Sequence, residues 1–169
     1  MEGPARTLIL LRHAKSDWSG DEADPDRPLA KRGRRQAPDA GRWLAEHMEG
    51  VDLAVVSSAV RARQTWDLVS AELPAPPPTR SEDRAYAASA DALLAIVRDL
   101  PDDATTVVLV GHNPGLEDLA SSLTGQLVSL PTSALAVIGL AGEWESAGTV
   151  EADLMAWGRP PEGAPSTHG

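Results

Sequence analysis

Three short apolar runs, at residues 7–11, 53–57 and 106–110, constrain the fold of this chain more than any other feature of its sequence. Each is rich in Leu, Val or Ile and is bounded by polar or turn-forming residues. None alternates apolar with polar side chains, which is the pattern of strands covered on both faces. Residues 134–140 and 149–156 are two further strand candidates. The segments between carry a different period. Leu93, Ile96, Val97 and Leu100 fall on one helical face, as do Leu116, Leu119, Ala120 and Leu123, and Ala62, Trp66, Val69 and Leu73. A fourth helix is expected over 31–48, with Ala37, Ala40, Leu44 and Met48 inward and a kink or a late start at Pro38. Strand and helix periods that alternate in this way predict an α/β fold, a three-layer α/β/α sandwich with a mainly parallel central sheet.

The 169 residues, 42% hydrophobic and 24% charged, suffice for one full core and give no reason to expect global disorder. Phe is absent, so the core should be mainly aliphatic, with Trp43 and Trp66 on or beside helical stripes inside it. The Pro-rich stretch at 74–78 reads as a stiff connector, too short for a domain linker. One domain is expected over 1–157, and 158–169, rich in Pro and Gly without an apolar pattern, as a disordered tail. With no Cys there is no thiolate nucleophile, disulfide or Cys-based metal site. The first apolar run is only strand-length, so neither a signal peptide nor a membrane helix is expected, and a cytoplasmic setting is the default. The net charge of −10 disfavours nucleic acid and anionic membrane as partners. Any anionic substrate must therefore meet a local cluster of Arg or Lys.

Such clusters follow the apolar runs. Arg12 and His13 end the first, where ligands of open parallel sheets sit. A guanidinium pairs two phosphate oxygens and stays charged, while an imidazole neutral near pH 7 offers a lone pair. After the second run, Arg61 in Ser57-Ser58-Ala59-Val60-Arg61-Ala62-Arg63-Gln64-Thr65 supplies another guanidinium at the start of a helix, with Arg63 read as a surface residue. After the third, Gly111-His112-Asn113-Pro114-Gly115 turns the chain into a helix whose free N–H groups and positive dipole end face the same sheet edge. Each feature alone has an ordinary structural explanation.

Together, in this order and spacing, these three motifs resemble the histidine phosphatase (phosphoglycerate mutase-like) superfamily. Leu-Arg-His-Ala-Lys-Ser-Asp-Trp at 11–18, Asp26-Arg27-Pro28-Leu29 and Lys31-Arg32-Gly33-Arg34-Arg35 are most similar to its SixA-type phosphohistidine phosphatases. The likeness spans about residues 7–156. It implies His13 as the nucleophile that becomes phosphorylated, Arg12 and Arg61 as phosphate-binding arginines, and His112 as a second histidine on the phosphoryl oxygens. It implies neither a metal nor any other cofactor. The general acid is unassigned, because Glu82, Asp83 and Asp17 are candidates that match no acidic motif and read first as solvated surface carboxylates. The segment between Glu82 and the third run is too short for a large cap, so the site should be open, suited to a phosphorylated protein or to a small phosphorylated substrate. A small-molecule phosphomonoesterase of the same fold, or a non-catalytic phosphoprotein-binding domain, are the alternatives. The sequence leaves the oligomeric state open, with a monomer compatible. Lys31, Arg32, Arg34 and Arg35 read first as a solvated helix face and second as a docking patch. His47 reads as a helix-end cation, His168 as a tail residue, and Trp18 as either packing or a pocket wall.

Overall fold

The computed structural model describes residues 4–161. The first apolar run becomes β1 (Arg6–Arg12), whose side chains point alternately to the two faces of a sheet. Leu8 and Leu10 join Leu93, Ile96, Leu109, Leu116 and Leu119 on one side. Ile9 and Leu11 join Trp43, Leu44, Val56, Trp66 and Val110 on the other. All four β1 side chains are fully buried, which at roughly 1.5–3 kcal/mol each makes this strand a main anchor of the core.

Around it run β2 (Leu53–Ser57), β3 (Thr79–Glu82), β4 (Thr106–Gly111), β5 (Leu135–Leu140) and β6 (Ala152–Gly158), in the order β3-β2-β4-β1-β5-β6. Strands β1 to β4 are parallel, and β5 and β6 complete the sheet as an antiparallel flank. Helices α1 (Lys31–His47) and α2 (Val60–Ser70) cover one face. Helices α3 (Ala90–Arg98) and α4 (Gly115–Thr124) cover the other. The three-layer α/β/α sandwich with its mainly parallel sheet is therefore the fold of this chain.

Some sequence expectations need adjusting. β3, Thr-Arg-Ser-Glu, has no apolar run, because it is an edge strand that pairs only with β2 and stays half exposed. The last strand begins at Ala152 and not at Thr149, whose neighbourhood is a turn, and it extends through Gly158. Arg159 beyond it donates to the Thr132 carbonyl at 2.7 Å; residues 162–169, with His168, lie outside the described residues. α1 starts at Lys31 and continues through Pro38, so there is no late start. Pro38 withholds a hydrogen bond from the Arg34 carbonyl near the solvent side, while the Ala37, Ala40 and Leu44 face holds the helix to the sheet. Trp144, unremarked in sequence, is fully buried and donates to the Ala104 carbonyl at 2.7 Å. Among the described residues no helix is long and apolar enough to cross a membrane.

Candidate active site

β1 and β4 are paired in register, Arg12 opposite Gly111. The residues that follow them, His13 and His112, therefore leave the sheet side by side, with the His13 N–H donating to the Gly111 carbonyl at 3.1 Å. Their rings stand 5.1 Å apart between centroids, and both are buried. Arg61 enters from the first turn of α2, which starts just past β2. Arg12, His13, Arg61 and His112 thus line one cleft of about 260 Å³ at the carboxyl edge of the parallel strands.

The chain around these residues is fastened by the rest of the motifs. Thr65 Oγ1 accepts from the Ala14 N–H at 2.9 Å and donates to the Arg61 carbonyl at 2.7 Å, tying the segment after His13 to α2. Gln64 Oε1 accepts from the Leu29 N–H at 2.8 Å. The Leu130 carbonyl accepts from Arg12 Nη1 at 3.0 Å and Asn113 Nδ2 at 2.7 Å, and the Leu130 N–H donates to Glu117 at 2.6 Å. Ser133, at φ +65°, donates its N–H to the His13 carbonyl at 3.0 Å. A left-handed serine held beside His13 is strain that the surrounding loop must overcome.

His13 Nδ1 lies 2.7 Å from the Ala14 carbonyl, so that nitrogen carries the proton and donates, leaving the Nε2 lone pair unprotonated. Burial, with His112, Arg61 and Arg12 adding positive charge, pushes the His13 pKa down to about 3. The ring is neutral across the physiological range. His112 falls to about 4 by burial and by the field of Arg61. Its Nε2 sits 2.7 Å from Ser57 Oγ, while its Nδ1 is buried without a protein partner. With the serine hydroxyl donating to Nε2, the ring proton sits on Nδ1. Arg12 Nε and Arg61 Nε are likewise buried without partners.

A second set of residues frames this floor; of these the sequence reading raised only Trp18, as packing or a pocket wall, and gave Asp24, Arg27 and Tyr86 no site role. Asp24, in a short 3-10 turn (Asp24–Asp26), accepts from Arg61 Nη2 and Arg27 Nε, each at 3.1 Å, and from the Tyr86 hydroxyl. Its carbonyl also accepts from Arg61 Nη1 at 2.7 Å. Arg27 Nη1 donates to Ser16 Oγ at 2.7 Å, and its guanidinium stacks on Trp18 at 3.4 Å. Tyr86 presents its edge to His112, 5.6 Å between centroids. The Tyr86 hydrogen bond, then those from Arg27 and Arg61, hold Asp24 far below the usual carboxylate range. It is an ionised strut, not a proton donor. Trp18 does wall the pocket.

None of the three acid candidates lines this cleft. Glu82 is engaged by Arg84 through both oxygens, Asp83 is exposed in a 3-10 turn, and Asp17 accepts from the Ser19 backbone and hydroxyl. Those hydrogen bonds keep Glu82 and Asp17 below their ordinary pKa, hence ionised. Among the described residues no His, Asp and Glu side chains cluster in threes as a metal ion would require. Between β3 and β4 the chain forms only a 3-10 turn and α3, with no cap inserted over the cleft.

Comparison with known proteins bears on the same residues. Residues 8–86 match the model of the histidine phosphatase superfamily (branch 1). An uncharacterized protein of Mycobacterium tuberculosis strain H37Rv is 37% identical over 145 residues, covering 79% of this chain and 89% of that protein. A chain assigned as phosphohistidine phosphatase SixA from Nakamurella multipartitia superposes with a TM-score of 0.83 at 31% identity, covering 95% of this chain and 99% of the other. Its counterpart from Agrobacterium tumefaciens gives a TM-score of 0.77 at 27% identity, covering 90% and 96%.

Proposed function

The chain belongs to the histidine phosphatase superfamily, SixA type, and from that premise we propose that it hydrolyses a phosphoryl group through a phosphorylated His13, its substrate a phosphohistidine side chain of another protein. The observation that carries this reading is the convergence of His13, with Nδ1 on the Ala14 carbonyl and Nε2 left free, with Arg12, Arg61 and His112 on one cleft at the carboxyl edge of the parallel strands.

In the first step the Nε2 lone pair of His13 attacks phosphorus. The bond from phosphorus to the leaving nitrogen breaks, and that nitrogen keeps the electron pair and takes a proton from solvent. Arg12 and Arg61 neutralise the phosphoryl oxygens, and the His112 Nδ1–H donates to one of them as the charge spreads. The Ala14 carbonyl holds the Nδ1–H of the phosphorylated ring in place. Water then attacks phosphorus, the bond to Nε2 breaks, its electrons return to the ring, and inorganic phosphate leaves. A leaving imidazole needs less proton transfer than an alkoxide, which suits a site whose one lining carboxylate is held ionised. The uncapped cleft supports a side chain presented by a protein over a small molecule that must be enclosed.

The test is rapid mixing with a phosphohistidine peptide and, separately, with p-nitrophenyl phosphate, followed by alkaline quench and mass spectrometry. Phosphate on His13, absent in His13→Asn together with at least ~10³-fold lower turnover, is the expected result. Turnover of the ester with the peptide untouched would move the assignment to a small-molecule phosphomonoesterase. No adduct and no turnover with either would leave a phosphoprotein-binding domain.

A further inference from the structure

Lys31, Arg32, Arg34 and Arg35 crowd the start of α1, and all are exposed. The positive end of the helix dipole lies there, so cations in the first turn are repelled. α1 has no acidic residue in its first turn, and Ala30 gives no side-chain cap. The other face of the sheet shows the usual solution: Ser89 caps α3 with Asp91 in its first turn, and α4 opens with Glu117 and Asp118. Among the described residues none of the four α1 cations forms an ion pair. A chain of net charge −10 thus gathers unneutralised positive charge at one place where its own helix disfavours it.

That place adjoins the cleft. A Cβ on Gly33 would lie 2.1 Å from the Lys15 carbonyl oxygen, so the first turn of α1 is pressed against the segment that follows His13. This segment runs antiparallel to the chain entering α1, with Ala30 N–H donating to the Lys15 carbonyl at 2.9 Å and Asp17 N–H to the Pro28 carbonyl at 2.8 Å. Lys15 is therefore held beside the first turn of α1, and Lys15 and Trp18 both line the cleft. Trp18 is 70% exposed although one face rests on Arg27. Lys31 and Arg35, one turn apart, project away from the buried Gly33, Ala37 and Leu44 face.

We propose that the start of α1, together with the cleft edge beside it, is the docking surface for an acidic protein segment, whose carboxylates meet Lys31, Arg32 and Arg35 while an apolar side chain reaches Trp18. It rests on the phosphoprotein reading above, and it names the chemistry of that substrate around the phosphorylated residue. An exposed indole bordered by cations has the make-up of an interface anchor with a polar rim. The acidic remainder of the molecule repels an extended polyanion or an anionic lipid sheet, so a compact acidic segment is the occupant that fits.

The test measures anisotropy of a fluorescein-labelled, unphosphorylated peptide rich in Asp and Glu around one His, beside its Gln-substituted counterpart and vesicles containing anionic lipid. The full chain should bind the acidic peptide on the order of tenfold more tightly at low salt, and lose that preference at high salt. Lys31→Gln/Arg32→Gln/Arg35→Gln should abolish the preference while hydrolysing p-nitrophenyl phosphate within about twofold of the parent. Trp18→Ala should weaken both peptides. Equal binding of the two peptides, a preference that survives the triple substitution, an equal loss on the small ester, or binding to vesicles in place of peptide would each overturn the proposal. Folding is controlled by Lys31→Glu, expected to raise Tm by about a degree or two while weakening the acidic peptide further; a lower Tm would make the cations structural. Because the binding peptide carries no phosphate, binding without dephosphorylation of its phosphorylated form would sink the phosphatase reading alone. Equal dephosphorylation of both peptides would sink the docking surface alone.

Discussion

Arg12 and Arg27 both line the cleft, yet among the described residues Arg12 makes one side-chain hydrogen bond, to Leu130, whereas Arg27 bonds Asp24, Ser16 and the Asp17 carbonyl and stacks on Trp18. The contrast extends to their surroundings. On the floor, Arg12 Nε, Arg61 Nε and His112 Nδ1 are buried and unpartnered. On the rim, Asp24 gathers Arg27, Arg61 and Tyr86 onto one carboxylate. Two guanidinium groups and two imidazoles meet on the floor with no carboxylate of their own there, so the floor carries positive charge that suits an anion. The rim answers its own charges and acts as a frame. Arg61 belongs to both, its two terminal nitrogens on Asp24 and its Nε facing no partner.

Removing one arginine from each region breaks this comparison most sharply. Arg12→Ala should lower kcat/KM for p-nitrophenyl phosphate by on the order of 10²–10³, the usual loss when a transition-state donor is deleted. Arg27→Ala should cost no more than about tenfold, because its nitrogens are already engaged by Asp24, Ser16 and the Asp17 carbonyl. Equal losses in steady-state kinetics would show that the rim binds the transferred group directly.

A smaller effect separates frame from charge at Asp24. Asp24→Asn keeps an acceptor for Arg27 or Arg61 and removes a negative charge from the mouth of an anion site. Competitive inhibition by inorganic phosphate should then tighten severalfold, on the order of 1 kcal/mol for a partly exposed charge. Weaker inhibition would mean that Asp24 matters chiefly for holding Arg61 in place.

The same contrast governs what could be read from the sequence. Each floor residue ends or soon follows a buried strand, so Arg12, His13, Arg61 and His112 could be placed at one sheet edge from the apolar runs alone. The rim has no such marker. Asp24 sits in an irregular loop and meets Arg61 across 37 residues and Tyr86 across 62. The one local sign available in the sequence is the i, i+3 spacing of Asp24 and Arg27 in a Pro-containing turn, which pair in the structure. The fold divides likewise. β1, β2 and β4 were legible because burial on both faces makes them continuously apolar, whereas β3 at the edge keeps a polar sequence that resembles a loop. The 3.6-residue period located the helices, but Pro38 suggested a late start that packing of Ala37, Ala40 and Leu44 overrules.

The smallest effect concerns stability and not rate. His13 and His112 titrate near 3 and 4 in the folded protein against about 6.5 when unfolded. Their lowered values mean that the unfolded chain binds more protons as pH falls below 6.5. The stability that comes from keeping them neutral is present above that pH and is lost progressively toward the folded pKa values. The slope should approach about 1.4 kcal/mol per pH unit for each histidine. The stability from ionised Asp24 is intact above the ordinary carboxylate range and is lost only below it, so the interval from pH 6.5 to 5 isolates the two rings. Urea denaturation across that interval should show a steep loss in the wild type and a flatter one in His13→Asn/His112→Asn. Parallel slopes would mean that the floor admits enough water for both imidazoles to charge in place, and the unpartnered donors would then be solvated and not held ready for phosphate.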